Sequence, residues 1–273
     1  MARPKRSLGQ NFLVDPNIQQ KIVQALDPRP EDTVIEIGPG RGALTQHLVG
    51  RVNRLVAIEL DDGLAAALRA EYAGRDDVEI RHADVLDVDF DALAATPETL
   101  RVVGNIPYNI TSPLLFHLLE QTPPACIVLT VQREVADRIT AAPGSKTFGA
   151  LSVGAQTAAR VETMFRVGRG AFRPTPDVES AVIRLLPLPQ RLSTAEARDL
   201  RTLTRAAFGQ RRKQFQKILR TTAQYRLSSH DIRSLETELD LDLSRRPETF
   251  HPRQFVALSR ALRARRLPRA QAV

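Results

Sequence analysis

A single cysteine, Cys126, stands in this 273-residue sequence. It lies in the apolar run 125–129 and reads as a buried strand thiol. An internal disulfide framework is thereby excluded, and the chemistry suits a reducing cytoplasm. No apolar stretch approaches the length of a membrane span. The N-terminal Met-Ala-Arg-Pro-Lys-Arg-Ser is basic but has no apolar segment behind it, so no secretory signal is expected. The histidines, His47, His82, His117, His230 and His251, show no metal-ligand spacing, and no metal site is expected. Internal repeats and low-complexity segments are missing too. What remains, 42% hydrophobic and 26% charged residues, describes a soluble globular protein with room for one large domain and a smaller one.

Acids are absent from three stretches. Arg3, Lys5 and Arg6 open the chain without one. The second run extends from Arg205 through Arg211, Arg212, Lys213 and Lys217 to Arg220. The third comprises Arg260, Arg263, Arg265, Arg266 and Arg269. A preference for Arg over Lys can reflect genomic base composition, but it does not produce a net charge of +8. The excess and its clustering imply an anionic partner, most simply nucleic acid.

Hydrophobic periodicity divides the chain. A helix is expected over 15–26, stopped by Pro28 and Pro30. Strands over 33–37, 54–58, 78–81, 100–104 and 125–131 then alternate with helices over 43–49, 62–72 and 112–120. That alternation predicts a parallel, doubly wound α/β sheet. Further helices are expected over 133–141 and 148–158, with late strands over 161–167 and 180–186. Pro187-Leu188-Pro189 marks the domain boundary, giving domains of 1–190, with an N-terminal arm over 1–14, and 191–273. Beyond it the pattern is helical only, over 194–208, 211–222, 229–239 and 252–265.

Strand 33–37 runs into Gly38-Pro39-Gly40-Arg41-Gly42 and then a helix. Glycines at a strand end let the backbone approach a ligand, and a helix N-terminus offers free N–H groups. A dinucleotide loop would read Gly-x-Gly-x-x-Gly. Here the third glycine falls one residue early and Glu36 precedes the first, which favours S-adenosylmethionine over a nicotinamide dinucleotide. A tight βα turn would also use glycine. Glu59, ending the second strand, is suited to accept ribose hydroxyls, and Asp84, after the third, to receive an adenine amino group. Both occupy strand ends where this fold binds ligands.

Asn105-Ile106-Pro107-Tyr108 points to the chemistry. The exocyclic N6 of adenine is a poor nucleophile because its lone pair is delocalised into the ring. A side-chain amide oxygen and backbone carbonyls held by a proline can accept both N–H bonds and bias the nitrogen toward a nucleophilic geometry. The following aromatic can stack on the base. An ordinary strand end with a Pro turn is the alternative.

With these residues assembled, the chain resembles the rRNA adenine N6,N6-dimethyltransferases, in particular their bacterial small-subunit members. The resemblance runs from Leu8 to about Leu262. It rests on Leu8-Gly9-Gln10-Asn11-Phe12-Leu13, the glycine loop, Asn105–Ile110, Val131-Gln132-Arg133-Glu134-Val135-Ala136 and Phe148-Gly149-Ala150-Leu151-Ser152. The Pro-flanked segment from Phe172 to Ser180 and Phe208-Gly209-Gln210-Arg211-Arg212-Lys213 extend it. After Lys213 the chain departs from the usual pattern, with Gln214-Phe215-Gln216-Lys217 in place of a Thr-Leu and an Asn-rich stretch.

The resemblance implies a Rossmann-like class I S-adenosylmethionine-dependent methyltransferase domain followed by a smaller all-helical, RNA-binding C-terminal domain. It implies Asn11, Leu13, Gly38, Gly40, Glu59, Asp84 and Asn105 at the cofactor. Asn105 and Tyr108 would carry the target adenine, with Phe172 as a second aromatic wall; by itself Phe172 reads as a packing residue. Arg211, Arg212 and Lys213 would face RNA. The implied substrate is a pair of adjacent adenosines in the 3′-terminal hairpin loop of 16S rRNA, on an assembling 30S particle, with the enzyme acting as a monomer. Rival readings are a large-subunit rRNA methylase of the antibiotic-resistance type, a DNA adenine methylase, and a non-enzymatic assembly factor.

Overall fold

The structure, a computed structural model, describes residues 10–90, 92–93, 96–107, 110–121 and 124–266. Tyr108, Arg3, Lys5, Arg6 and Arg269 lie outside the described residues. The chain forms two compact units. The first comprises residues 1–137 and 159–187, the second residues 138–158 and 188–273. The second unit thus takes in a segment that sequence alone assigns to the first. The cause is packing: Ala141, Phe148 and Val153 belong to the core formed by the C-terminal helices.

The first unit is built on a seven-stranded sheet. Its strands are β2 (Thr33–Ile37), β3 (Arg54–Glu59), β4 (Val78–His82), β5 (Leu100–Asn105), β6 (Cys126–Gln132), β7 (Ala159–Val167) and β9 (Ser180–Pro187), in the order β4-β3-β2-β5-β6-β9-β7. β2 is buried at every position, as a central strand covered on both faces must be. The first five strands in that order are parallel. β9 runs antiparallel to β6, and β7 antiparallel to β9. The five strands expected from the alternation are parallel, and the two late strands, whose direction an apolar run does not signal, make the sheet mixed. The chain moves outward from β2 through β3 and β4, then returns to β5 on its other side. The crevice between the ends of β2 and β5 is the switch point where such sheets bind ligands.

Helix α1 (Pro16–Leu26) starts where the Asp15 carboxylate accepts the N–H groups of Asn17 and Ile18 at 2.9 and 3.2 Å. Its buried face carries Ile22, Val23 and Leu26 into a core shared with Val34, Leu55, Val103, Val128 and Val182. Ahead of it, a two-residue strand β1 (Phe12–Leu13) pairs antiparallel with β8 (Phe172–Arg173), and Val14 N–H donates to the Ala171 carbonyl at 2.8 Å. This ribbon fastens residues 12–14 to the body of the unit.

The second unit is helical after residue 188. It contains α7 (Thr194–Gly209), α8 (Phe215–Thr221), α9 (Ser229–Leu239) and α10 (Pro252–Arg266), with α6 (Ala150–Ala158) from the earlier segment. Phe148, Phe208, Phe215, Phe250 and Phe255 form a chain of ring contacts with centroids 5.2–6.3 Å apart at its centre. The helix expected over 211–222 begins only at Phe215. Arg211, Arg212 and Lys213 lie in the turn before it, closed by Lys213 N–H on the Gln210 carbonyl at 2.8 Å.

Candidate active site

The loop after β2 is shaped by Gly38 and Gly40, at φ 64° and 60°, a region that side chains disfavour. Gly40 is also constrained from outside, since a Cβ there would stand 3.1 Å from the Phe12 ring. Gly38 faces the end of β5: a Cβ would lie 3.6 Å from the Asn105 carbonyl oxygen. The glycine loop, the N-terminal ribbon and Asn105 thus converge at the switch point. Between them lies a cavity of about 210 Å³, lined by Asn11, Phe12, Leu13, Glu36, Glu59 and Asn105 among others.

Two carboxyl groups define its polarity. Glu59 Oε2 accepts the Gly40 N–H at 3.0 Å and Oε1 accepts the Asp61 N–H at 2.9 Å, which locks the group across the loop. Burial pushes its pKa up, opposed by the N–H groups of Asp61 and Gly40. Glu36, in β2, is 1% exposed and accepts the Thr45 hydroxyl at 2.7 Å. Burial pushes its carboxyl up to about 7, against the two Thr45 hydrogen bonds. The amide of Asn105 is oriented as well: Nδ2 donates to the Asn11 carbonyl at 2.9 Å, leaving Oδ1 as the acceptor.

Asn11, Leu13, Gly38, Gly40, Glu59 and Asn105 are brought together as the sequence suggests. Asp84 does not line this cavity. Its Oδ1 accepts the Leu86 N–H at 2.9 Å and caps a short 3₁₀ turn, while Ala83 N–H donates to the Glu59 carbonyl and holds the segment beside β3. Phe172 is fully buried in the core with Leu13, Val103 and Val182. The structure gives it a packing role in anchoring the ribbon, a correction to its assignment as an aromatic wall. Tyr108 lies outside the described residues.

The basic triplet also needs revision. Arg211 Nε pairs with Glu248 at 2.9 Å and Nη1 donates to the Lys146 carbonyl at 2.9 Å, so this side chain braces the second unit. Lys213 donates to Gln210 Oε1 at 2.7 Å but is exposed, and Arg212, Lys217, Arg205 and Arg220 are exposed beside it in sequence. Three cations of the third basic run are paired in space. Arg260, Arg263 and Arg265 pair with Glu196, Asp199 and Glu238 at 2.7, 3.0 and 2.6 Å.

Sequence reasoning left Phe12, Glu36 and Gln19 without a role. Phe12 packs on the glycine loop and carries the Arg41 guanidinium 4.5 Å from its ring centroid. Gln19 holds the Leu13 carbonyl at 3.2 Å. The available signals were the placement of Phe12 in the Leu8–Leu13 motif and of Glu36 before Gly38.

The profile describing ribosomal RNA adenine dimethylases matches residues 1–249. The chain belongs to the ribosomal RNA adenine dimethylase family. Among relatives of this dimethylase, ribosomal RNA small subunit methyltransferase A of Pseudomonas syringae pv. syringae (strain B728a) is 41% identical over 267 residues, covering 95% of each chain. The enzyme of the same description from Leptothrix cholodnii is 42% identical and covers 95% of this chain and 92% of its own. Among solved structures, the 23S rRNA methyltransferase ErmE is similar with a TM-score of 0.69 at 26% identity, covering 93% of this chain and all of that one. A dimethyladenosine transferase from Plasmodium falciparum shares the fold, with a TM-score of 0.72 at 24% identity over 90% of this chain and 95% of its own. The fold and family are those of class I S-adenosylmethionine-dependent methyltransferases, and the dimethylase's cleft fits that cofactor. The buried Glu36 carboxyl suits the cationic end of such a ligand and Glu59 its hydroxyl groups, while Gly38 and Gly40 place no side chain against it.

Proposed function

We propose that this dimethylase methylates N6 of two adjacent adenosines in the 3′-terminal hairpin loop of small-subunit rRNA, acting as a monomer on an assembling particle. The observation that carries the chemistry is the Asn105 amide, whose Nδ2 is held by Asn11 so that its oxygen is left as an acceptor on a residue lining the same cavity as two carboxyl groups. The choice of subunit is supported by relatives named for the small subunit at 41% identity across 95% of the chain.

S-adenosylmethionine, when bound, supplies a methyl group already activated by its sulfonium. Glu59 would accept the ribose hydroxyls, and Glu36 would lose its proton once the cationic end binds beside it. Asp84, outside the described cavity and with Oδ1 held by the Leu86 N–H, would offer its other oxygen to the adenine amino group. Asn105 Oδ1 and the carbonyls preceding Pro107 accept the N–H bonds of the target N6 and orient its lone pair for in-line attack. Positioning supplies most of the acceleration. Once alkylated, N6 is positively charged and releases its proton readily, so an amide suffices where a base would otherwise be needed. The pocket must also accept N6-methyladenine, which retains one N–H. Extruding the base from its stack costs least in an unpaired loop, and Tyr108 replaces the lost stacking.

The test is transfer of radiolabelled methyl groups to four substrates in parallel. Under-methylated small subunits should accept up to four per particle. Naked hairpin, large subunits and duplex DNA should accept little. Preference for large subunits would overturn the assignment.

A further inference from the structure

The Val131–Ala136 motif has no part in the chemistry above. In the structure Gln132 ends β6 and Arg133 opens α5 (Arg133–Ile139). Asn105 is in register with Thr130, so Gln132 stands two residues beyond it toward the ligand-binding edge of the sheet. Period-two alternation puts Gln132 on the same face as Asn105. Strand rise and spacing separate the two Cα atoms by about 8 Å, a distance that one sugar-phosphate step can bridge.

Gln132 is also in register with Ser180 at the start of β9. Val178 and Glu179, just before that strand, complete with Gln132, Arg133 and Glu134 an open pocket of about 240 Å³. Its walls are fixed: Arg133 Nη1 pairs with Glu179 at 2.6 Å, Nε lies 3.8 Å from Asp137, and the Arg133 N–H donates to the Glu179 carbonyl at 2.9 Å. Val178 is 43% exposed, unusual for a large apolar residue in this chain. The Gln132 carboxamide finds no hydrogen-bond partner among the described residues.

We propose that this pocket holds the base adjoining the target adenosine and that Gln132 selects adenine there. The inference rests on the small-subunit reading above. Arg133, the cation lining the pocket, is already paired with Glu179 and Asp137, so a phosphate has no open counter-charge there, while Val178 offers an apolar surface to a base. A Gln carboxamide matches adenine in a bidentate pair, accepting from N6–H and donating to N7. An unpaired loop leaves that edge accessible. Dimethylation of the neighbour removes its N6–H and with it one of the two bonds. The subsite therefore favours an unmodified neighbour and sets the order in which the two adenosines are methylated.

The experiment uses under-methylated small subunits carrying the natural adenosine pair, or with one adenosine replaced by guanosine or cytidine. Wild-type enzyme should methylate the remaining adenosine roughly tenfold less efficiently when the replaced adenosine is the one on the subsite side, and normally when it is the other. Gln132→Ala should act on the adenosine pair at that reduced level and discriminate no further. Gln132→Glu, which can accept from cytosine N4, should move the preference toward the cytidine particle. Cofactor affinity and melting temperature of both variants verify that the fold is intact. An unchanged preference for adenine in Gln132→Ala would overturn the subsite while leaving the small-subunit reading standing. No wild-type transfer to the natural particle would overturn both.

Discussion

Asn105 donates its side-chain N–H to the backbone carbonyl of Asn11 at 2.9 Å, across 94 residues of sequence. A residue from the N-terminal segment thereby decides which end of the catalytic amide meets the substrate. Asn105→Ala should lower kcat by about 10²–10³-fold, by analogy with loss of one hydrogen bond to a group that gains charge in the transition state. RNA binding should persist. Asn105→Asp should fare no better, because a carboxylate would face the Asn11 carbonyl with no proton to share. Single-turnover methyl transfer checks both, and a near-normal rate in either variant would remove Asn105 from the reaction.

Glu59 receives one backbone N–H on each oxygen, from Gly40 and Asp61. Glu59→Gln must turn its own NH₂ toward one of those donors, so the isosteric change should weaken cofactor binding nearly as much as Glu59→Ala. Each lost charged hydrogen bond is worth roughly 1.5–3 kcal/mol. Calorimetry with S-adenosylmethionine measures it; wild-type affinity in Glu59→Gln would take the carboxylate out of the site.

Glu36 gives a pH signature. The unfolded chain releases this proton near 4.5 and the folded protein near 7. Between those values the folded state binds more protons, so this group costs stability progressively as pH rises through the window. The cost reaches about 3 kcal/mol above pH 7, in order of magnitude. Glu36→Gln should therefore be more stable than wild type at pH 8 and nearly equal to it below about pH 4, where Glu36 is neutral in both states. Denaturant unfolding across this range checks the sign; a difference that does not vary with pH would contradict it.

Within residues 211–217, Arg211 is a brace while Arg212, Lys213 and Lys217 are exposed and pair with no acid among the described residues. Replacing Arg212, Lys213 and Lys217 with Gln should weaken binding to small subunits and reduce the salt slope by roughly 0.7–0.9 per lost phosphate contact. Cofactor affinity should stay unchanged. Arg211→Ala should instead lower the melting temperature, since it breaks the links to Glu248 and the Lys146 carbonyl. The reverse pattern would exchange the roles assigned here.

What the sequence made legible follows from local physics. β2 reads correctly because a short β-branched segment, Thr33-Val34-Ile35, runs into a glycine turn, and Gly38, Gly40, Glu59 and Asn105 follow from their places at strand ends. The β1–β8 ribbon is two residues long on each side, too short for any periodicity. It is what turns Phe172 from a candidate wall into a core residue. Charge runs misled for a related reason. Arg260 and Arg263 meet Glu196 and Asp199 from 64 residues away, and a scan along the chain sees only the unpaired half.

The most direct test of the central claim is to map modified nucleotides in rRNA from a strain that lacks its own small-subunit dimethylase and expresses this chain. Mass spectrometry of nuclease fragments should find N6,N6-dimethyladenosine at two adjacent positions of the 3′-terminal small-subunit hairpin loop, and none when Asn105→Ala is expressed instead. Dimethyladenosine in large-subunit rRNA, or an unmodified hairpin loop beside abundant folded wild-type enzyme, would contradict the account.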